Sequence, residues 1–266
     1  MAQCIFCKST ENRFTSIEHI VPESLGNSEH VLPRGIVCDK CNNYFARKIE
    51  GPILGSDYFR QARHRNAIES KRNRVPTLPM LTFPDAMPIE IGIDRDGDGF
   101  LMASKAADND RFVSQINSQK RFTAIHSIPD KPDTRLFARF LLLMGLEYLA
   151  FRFLDTEDGI AVDHINNPRL DPARAFCRFN DCSAEWAFHE TQLYPEGKRF
   201  LDVEQAVFYD VPHEFTLLYT SHAELFFVIA IFGTQYTINL GSPCMAGFRD
   251  WLNENENASP LYPNGT

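Results

Sequence analysis

Cys4-Ile5-Phe6-Cys7 and Cys38-Asp39-Lys40-Cys41 are two cysteine pairs with the same two-residue spacing. A C-x-x-C pair sets two thiolates on one tight turn, and two such turns complete a tetrahedral four-sulfur site of the kind that holds zinc. The protein fills every position of such a site, so the zinc it predicts is structural. It supplies folding free energy to a stretch too short to build its own core. Between the pairs lies Glu18-His19-Ile20-Val21-Pro22, and directly after the second comes Asn42-Asn43. A carboxylate and an amide offer hard oxygen donors to a divalent cation, and an imidazole takes up a proton near neutral pH.

These groups act together only if the chain brings them together. Glu18-His19 reads as the end of a short strand before Pro22. Asn42 reads as the start of a helix, with Phe45, Ala46 and Ile49 at helical spacing and Gly51-Pro52 as its stop. The zinc would then clamp the helix start near the strand end and gather Glu18, His19 and Asn42 into one pocket. The 30 residues between Cys7 and Cys38 exceed a simple ribbon loop, so structure is expected between the knuckles.

The order C-x-x-C, Glu-His-Ile-x-Pro, C-x-x-C-Asn and then a helix resembles the HNH endonuclease family, in its zinc-stapled form with the ββα-metal fold. The resemblance covers residues 4–54. It implies a metal-dependent endonuclease (a phosphodiester hydrolase) in which His19 is the general base that activates water. It also implies that Glu18 and Asn42 hold a catalytic Mg²⁺ or Mn²⁺ and that Asn43 or Glu50 assists, Glu50 standing where family members often carry an acidic residue. Cys4, Cys7, Cys38 and Cys41 would hold the structural Zn²⁺, one per chain. Glu18 stands where Asp is commoner. The family's middle asparagine falls at Pro33 here, so it is missing or replaced by another group such as Asn27 or His30. A closely similar branch of the family also starts with Glu-His and lacks that asparagine.

Beyond residue 54 the chain divides by composition. Residues 55–88 read as a basic helix and a connector punctuated by Pro76, Pro79, Pro84 and Pro88. Residues 89–266 read as a larger α+β domain for specificity, sensing or dimerisation, with a mainly antiparallel sheet on a central apolar helix. That helix is predicted over 133–154, capped by Asp133 or Thr134, with Arg135, Arg139 and Glu147 interrupting its apolar face. Residues 225–232 read as a strand buried on both faces, and Tyr236, Ile238 and Leu240 as a half-buried one. Asp94, Asp96, Asp98 and Gly99 mimic the first half of a calcium loop but read as a hairpin turn. Asp163-His164 mimics the nuclease motif without knuckles and reads as a loop. Cys177, Cys182 and Cys244 read as buried small hydrophobes.

Charge points to the partner. The net charge is −8, which argues against a protein coated for indiscriminate nucleic-acid binding. Residues 1–75 carry 12 Lys and Arg against 8 Asp and Glu, whereas 76–266 carry 15 against 27. The basic side therefore lies with the chemistry, and a polyanion is expected there, DNA ahead of RNA. Arg60, Arg63, Arg65, Lys71, Arg72 and Arg74 are the expected phosphate contacts. No secretory signal is legible, and the apolar runs 140–146 and 225–232 are well short of the roughly 20 residues that span a bilayer, so a cytoplasmic protein is expected. By family analogy it would be a restriction or phage-defence effector, acting as a homodimer or with a defence-system partner. The competing readings are a non-catalytic zinc module that binds nucleic acid or protein, and an adaptor whose acidic second part does the binding.

Overall fold

A computed structural model describes residues 2–70, 73–94, 97–118, 123–154, 165–181, 184–202 and 204–263. Lys71, Arg72, Arg95, Asp96, Asp163, His164 and Cys182 lie outside them. Helices and antiparallel sheets alternate through two compact units, residues 1–53 with 132–266 and residues 54–131. Among the described residues no helix is long and apolar enough to cross a membrane.

The first unit begins with a small hairpin, β1 (Glu18–His19) and β2 (Val31–Leu32), antiparallel with Glu18 opposite Leu32. Helix α1 (Asp39–Phe45) follows, starting inside the second knuckle, three residues before Asn42. It does not stop at Gly51-Pro52 as the sequence suggested. A π turn over Ala46–Glu50 continues it into α2 (Gly51–Leu54). There the Gly51 N–H reaches back five residues to the Ala46 carbonyl. A Cβ on residue 51 would lie 2.9 Å from that carbonyl oxygen, so glycine keeps the wide turn open and the helix passes the proline.

The core of this unit is α5 (Thr134–Leu154), in which every residue from 137 to 150 is buried. Asp133 caps it, its Oδ1 accepting from Leu136 N at 2.8 Å. One face lies on a four-stranded antiparallel sheet of order β10-β11-β12-β7 (His213–Tyr219, Leu225–Ile231, Thr234–Asn239, Phe188–Gln192). Phe137 meets Tyr236 at 4.8 Å between ring centres, and Tyr148 meets Phe215 at 4.7 Å. The opposite face carries the π turn and α6 (Asp171–Phe179). A hairpin, β8 (Arg199–Asp202) with β9 (Val207–Asp210), and a final helix, α7 (Ala246–Glu254), complete the unit. Phe248 and Met245 at α7 cover Phe226 of β11.

Two expectations are corrected here. Strand β12 is buried on both faces, for Gln235, Thr237 and Asn239 are as enclosed as Tyr236 and Ile238. Its polar side chains are hydrogen-bonded, Asn239 Nδ2 donating to Glu224 Oε1 and to the Cys244 carbonyl, each at 2.9 Å, so alternation of residue type does not mean exposure. Cys244 is exposed, whereas Cys177 is buried as expected.

The second unit holds α3 (Asp57–Arg65), a sheet of order β5-β4-β3-β6 (Gly99–Ala103, Pro88–Ile93, Leu78–Phe83, Thr123–Ile125) and α4 (Asn109–Ser118). Met87, Ile89, Ala103 and Phe112 form its small core. β4 and β5 pair across the turn that begins at Asp94, the hairpin read from the sequence.

Candidate functional site

The site is built by the first knuckle, the β1–β2 hairpin and α1. Cys4, Cys7, Cys38 and Cys41 bring their four sulfurs within 4.8 Å of one another. Four crowded thiols share protons. A hydrogen bond with Cys41 lowers Cys4 to about 5, and the same contact drives Cys41 up. Donors already surround the sulfurs. The Cys38 N–H points at Cys4 Sγ (3.4 Å), Asn12 Nδ2 at Cys38 Sγ (3.4 Å), and Arg178 Nε at Cys41 Sγ (3.3 Å). A cluster of soft donors with hydrogen bonds on its thiolates fits zinc, which all four sulfurs would hold as thiolates.

Asp39, in the first turn of α1, ties that helix to the strand. Its carboxylate accepts from Thr15 N (2.9 Å), Thr15 Oγ1 (2.7 Å), Ser16 N (2.9 Å) and Ser16 Oγ (2.9 Å). Those bonds, the Ser16 N–H foremost, lower Asp39 to about 2. One turn on, Asn42 Nδ2 donates to the Ile17 carbonyl at 3.4 Å. The helix amide therefore lies beside the residue that precedes Glu18. With the nitrogen engaged there, the carbonyl oxygen of the amide is the atom a cation would meet.

Glu18 Oε2 and His19 Nδ1 are both buried, and His19 Nδ1 has no hydrogen-bond partner among the described residues. The buried Asn27 does not supply one. Its Nδ2 donates to the Val21 carbonyl (2.7 Å) and the His30 carbonyl (3.0 Å), and its Oδ1 accepts from His30 N (2.9 Å) and Glu29 N (3.1 Å). Asn27 thus shapes the loop between the strands. The His30 ring packs on Phe215, 4.8 Å between centres. Pro33 leads into a turn in which Gly35 takes a φ of +100°. Asn43 is exposed on α1 and bonds to the Asp39 carbonyl at 2.8 Å.

The basic residues differ among themselves. Arg60 pairs with Asp57 at 3.4 Å, Arg65 and Arg74 are exposed, and Arg63 is buried, its Nε and Nη2 without a hydrogen-bond partner among the described residues. Lys71 and Arg72 lie outside the described residues.

Four groups from residues 132–266 bear on this module, and sequence reasoning gave none of them a role. Arg139 of α5 donates to Tyr44 Oη (2.7 Å) and to the Cys177 carbonyl (2.9 Å). Arg174 donates to the Ile5 carbonyl (2.7 Å), and Arg178 lies 3.9 Å above the Tyr44 ring. Glu147 of α5 is the fourth. Its carboxyl is wholly enclosed, and burial, reinforced by Glu18, Glu50 and Cys4, pushes it well above the usual carboxylate range. The signal available for Arg139 and Glu147 was their interruption of an apolar helix.

A four-cysteine cluster able to hold a metal, a hairpin with an acid–histidine pair on its first strand and a helix carrying an amide define a small module. Residues 4–56 match the model of the HNH endonuclease family. No curated protein and no solved structure matches the chain. The match points to a nuclease or nucleic-acid-binding role for this module.

Proposed function

We propose that the protein is a metal-dependent endonuclease that hydrolyses DNA phosphodiester bonds at Glu18, His19 and Asn42. The observation that carries this reading is the clasp of α1 against residues 15–17 by Asp39 and Asn42. It brings the Asn42 amide to the carbonyl of Ile17, the residue before Glu18, inside the stretch matched by the family. Hydrolysis needs a water nucleophile, a base and positive charge on the leaving oxygen. His19 takes the proton from water. The carboxylate of Glu18 and the amide oxygen of Asn42 form a hard donor set that fits Mg²⁺ or Mn²⁺. The ion would polarise the phosphate and neutralise the departing 3′ oxygen. Arg65 and Arg74 are exposed cations suited to phosphate contacts, which position nucleic acid without reading its sequence.

The test is a supercoiled plasmid incubated with Mg²⁺, with Mn²⁺ and with EDTA, beside His19→Ala. Cleavage that needs added metal and falls at least 100-fold in the variant is expected. Plasmid binding without cleavage, equal in both proteins, would refute the reading and leave a zinc module that only binds nucleic acid.

A further inference from the structure

Gly92 and Phe100 stand opposite each other on β4 and β5. Each lies three residues from a core position, Ile89 or Ala103, so both belong to the other face of the sheet. A Cβ on residue 92 would run into Phe100 Cζ, with Cε1 and Cε2 almost as near. The ring therefore lays a face, not its edge, on the bare glycine. Its second face turns away from the sheet, and Phe100 keeps 38% of its surface exposed.

That ring forms one wall of a cleft of about 390 Å³, the size of a small-ligand site. Glu69, Asn73, Arg74, Thr77 and Asp94 also line it, and all belong to the second unit. Glu69, Asn73, Arg74 and Asp94 are exposed. The guanidinium of Arg74 offers a charged fork to a phosphate. The amide of Asn73 donates and accepts, and the two carboxylates accept from amino groups.

An apolar ligand would leave this polar rim unused, and a bare phosphate would meet two acids against one guanidinium. A nucleotide has the matching parts, a flat ring with polar edges and a single phosphate. The charge of the unit points the same way. Residues 54–131 carry 12 Lys and Arg against 10 Asp and Glu, whereas the rest of the chain carries 15 against 25. A polyanion is drawn to the former. Stacking hides the faces of bases in a duplex, so an aromatic ring reaches only an unpaired or flipped-out base.

We propose that this cleft binds one unpaired nucleotide of a DNA strand, its base stacked on the open face of Phe100 and its phosphate on Arg74. Glu69 and Asp94 accept from the exocyclic amino group of the base, which thymine lacks. The inference rests on the nuclease reading for the strand being DNA. It adds a substrate class, single-stranded or locally unpaired DNA, which that reading leaves open.

The test is fluorescence anisotropy of short labelled oligo-dC, oligo-dT and a duplex of the same length, with the zinc-loaded full chain and no added Mg²⁺ or Mn²⁺. Oligo-dC should bind more tightly than either of the others. Phe100→Ala should weaken oligo-dC binding about 5- to 100-fold, the effect of losing one stacked base, and leave duplex binding within about twofold. Phe100→Trp keeps a flat ring and should bind oligo-dC as the wild type does, which separates lost stacking from a loosened sheet. Arg74→Gln should reduce the salt slope of binding by about one. Equal wild-type affinity for strand and duplex, or wild-type oligo-dC affinity in folded Phe100→Ala, would overturn the proposal. So would self-association that Phe100→Ala abolishes, because a second copy would then occupy the ring. The plasmid assay keeps the two readings apart. Cleavage without single-strand preference removes this proposal alone, whereas single-strand binding without cleavage removes the nuclease reading and leaves the cleft.

Discussion

Arg178 is the residue through which the main core touches the zinc cluster, and its removal should loosen the metal. Its Nε donates to Cys41 Sγ at 3.3 Å, and its guanidinium lies 3.9 Å from the centre of the Tyr44 ring. The side chain is almost wholly buried. A hydrogen bond to a charged acceptor contributes about 1.5–3 kcal/mol. Loss of an outer-shell partner typically costs about 10- to 100-fold in metal affinity, or about 1.4–2.8 kcal/mol. The two figures agree. Arg178→Met, which keeps the apolar stem, should therefore release zinc to a competing chelator with an affinity about 10- to 100-fold below wild type. Arg178→Lys keeps the charge but not the planar contact with Tyr44, and it should fall between the two. The decisive comparison is the stability loss in zinc-loaded and zinc-stripped protein. A merely structural arginine would cost the same in both, whereas a zinc-linked one costs more when the metal is present. Zinc affinity within twofold of wild type in Arg178→Met would refute the reasoning.

Three further perturbations follow from the geometry. Asp39 is held near 2 by its bonds to residues 15 and 16. A depressed carboxylate stabilises above its unfolded value and its contribution is lost as pH falls through the folded one, so Asp39→Asn should destabilise at pH 6 and progressively less as pH falls through about 2, seen in denaturant melts. Burial lowers His213 from 6.5 to about 4. The unfolded chain binds this proton first, so stability should fall by up to about 3 kcal/mol between pH 6.5 and 4, and His213→Phe should flatten that slope. A methyl on residue 145 would meet Phe227 and Leu240 at 2.8 Å. Gly145→Ala should therefore cost about 1–3 kcal/mol and lower the melting temperature by several degrees, measured by calorimetry.

What could be read from sequence was what is local. The knuckles, the Glu18-His19 pair, Asn42 and the cap at Asp133 each declare themselves within a few residues. Strands β4, β5 and β11 were legible because their apolar runs are bounded by turns. The π turn was not, because Gly51-Pro52 looks the same whether a helix ends there or widens. Helix α6 was missed although Asp171-Pro172 is a usual helix opening and Asn180, with a φ of 57°, a usual close. Helix α7 was missed because its apolar spacing covers only nine residues. The exposure of β12 was misjudged because its polar residues turn away from α5 and are enclosed by the loop before β11 and the chain that follows β12, where Asn239 bonds to Glu224 and Cys244 and Gln235 accepts from Ser259.

The least legible feature was the dependence of the module on the core. Asp39 resembles any acidic residue in a first helical turn until residues 15 and 16 are seen on it. Arg139, Arg174 and Arg178 resemble solvated charges until Tyr44, Ile5 and Cys41 are placed beneath them. A segment of some fifty residues has too little interior to hold both a metal and an acid–histidine pair rigidly. Four cysteines able to hold a metal gather one end of it, and the arginines of α5 and α6 reach Ile5 in the first knuckle, Cys41 in the second and Tyr44 just after it. Charges that look like defects in an apolar helix are then its most informative positions. Arg139 and Glu147 lie eight residues apart, on neighbouring parts of one face. Arg139 reaches the hydroxyl of Tyr44, while Glu147 meets the field of Glu18 and Glu50.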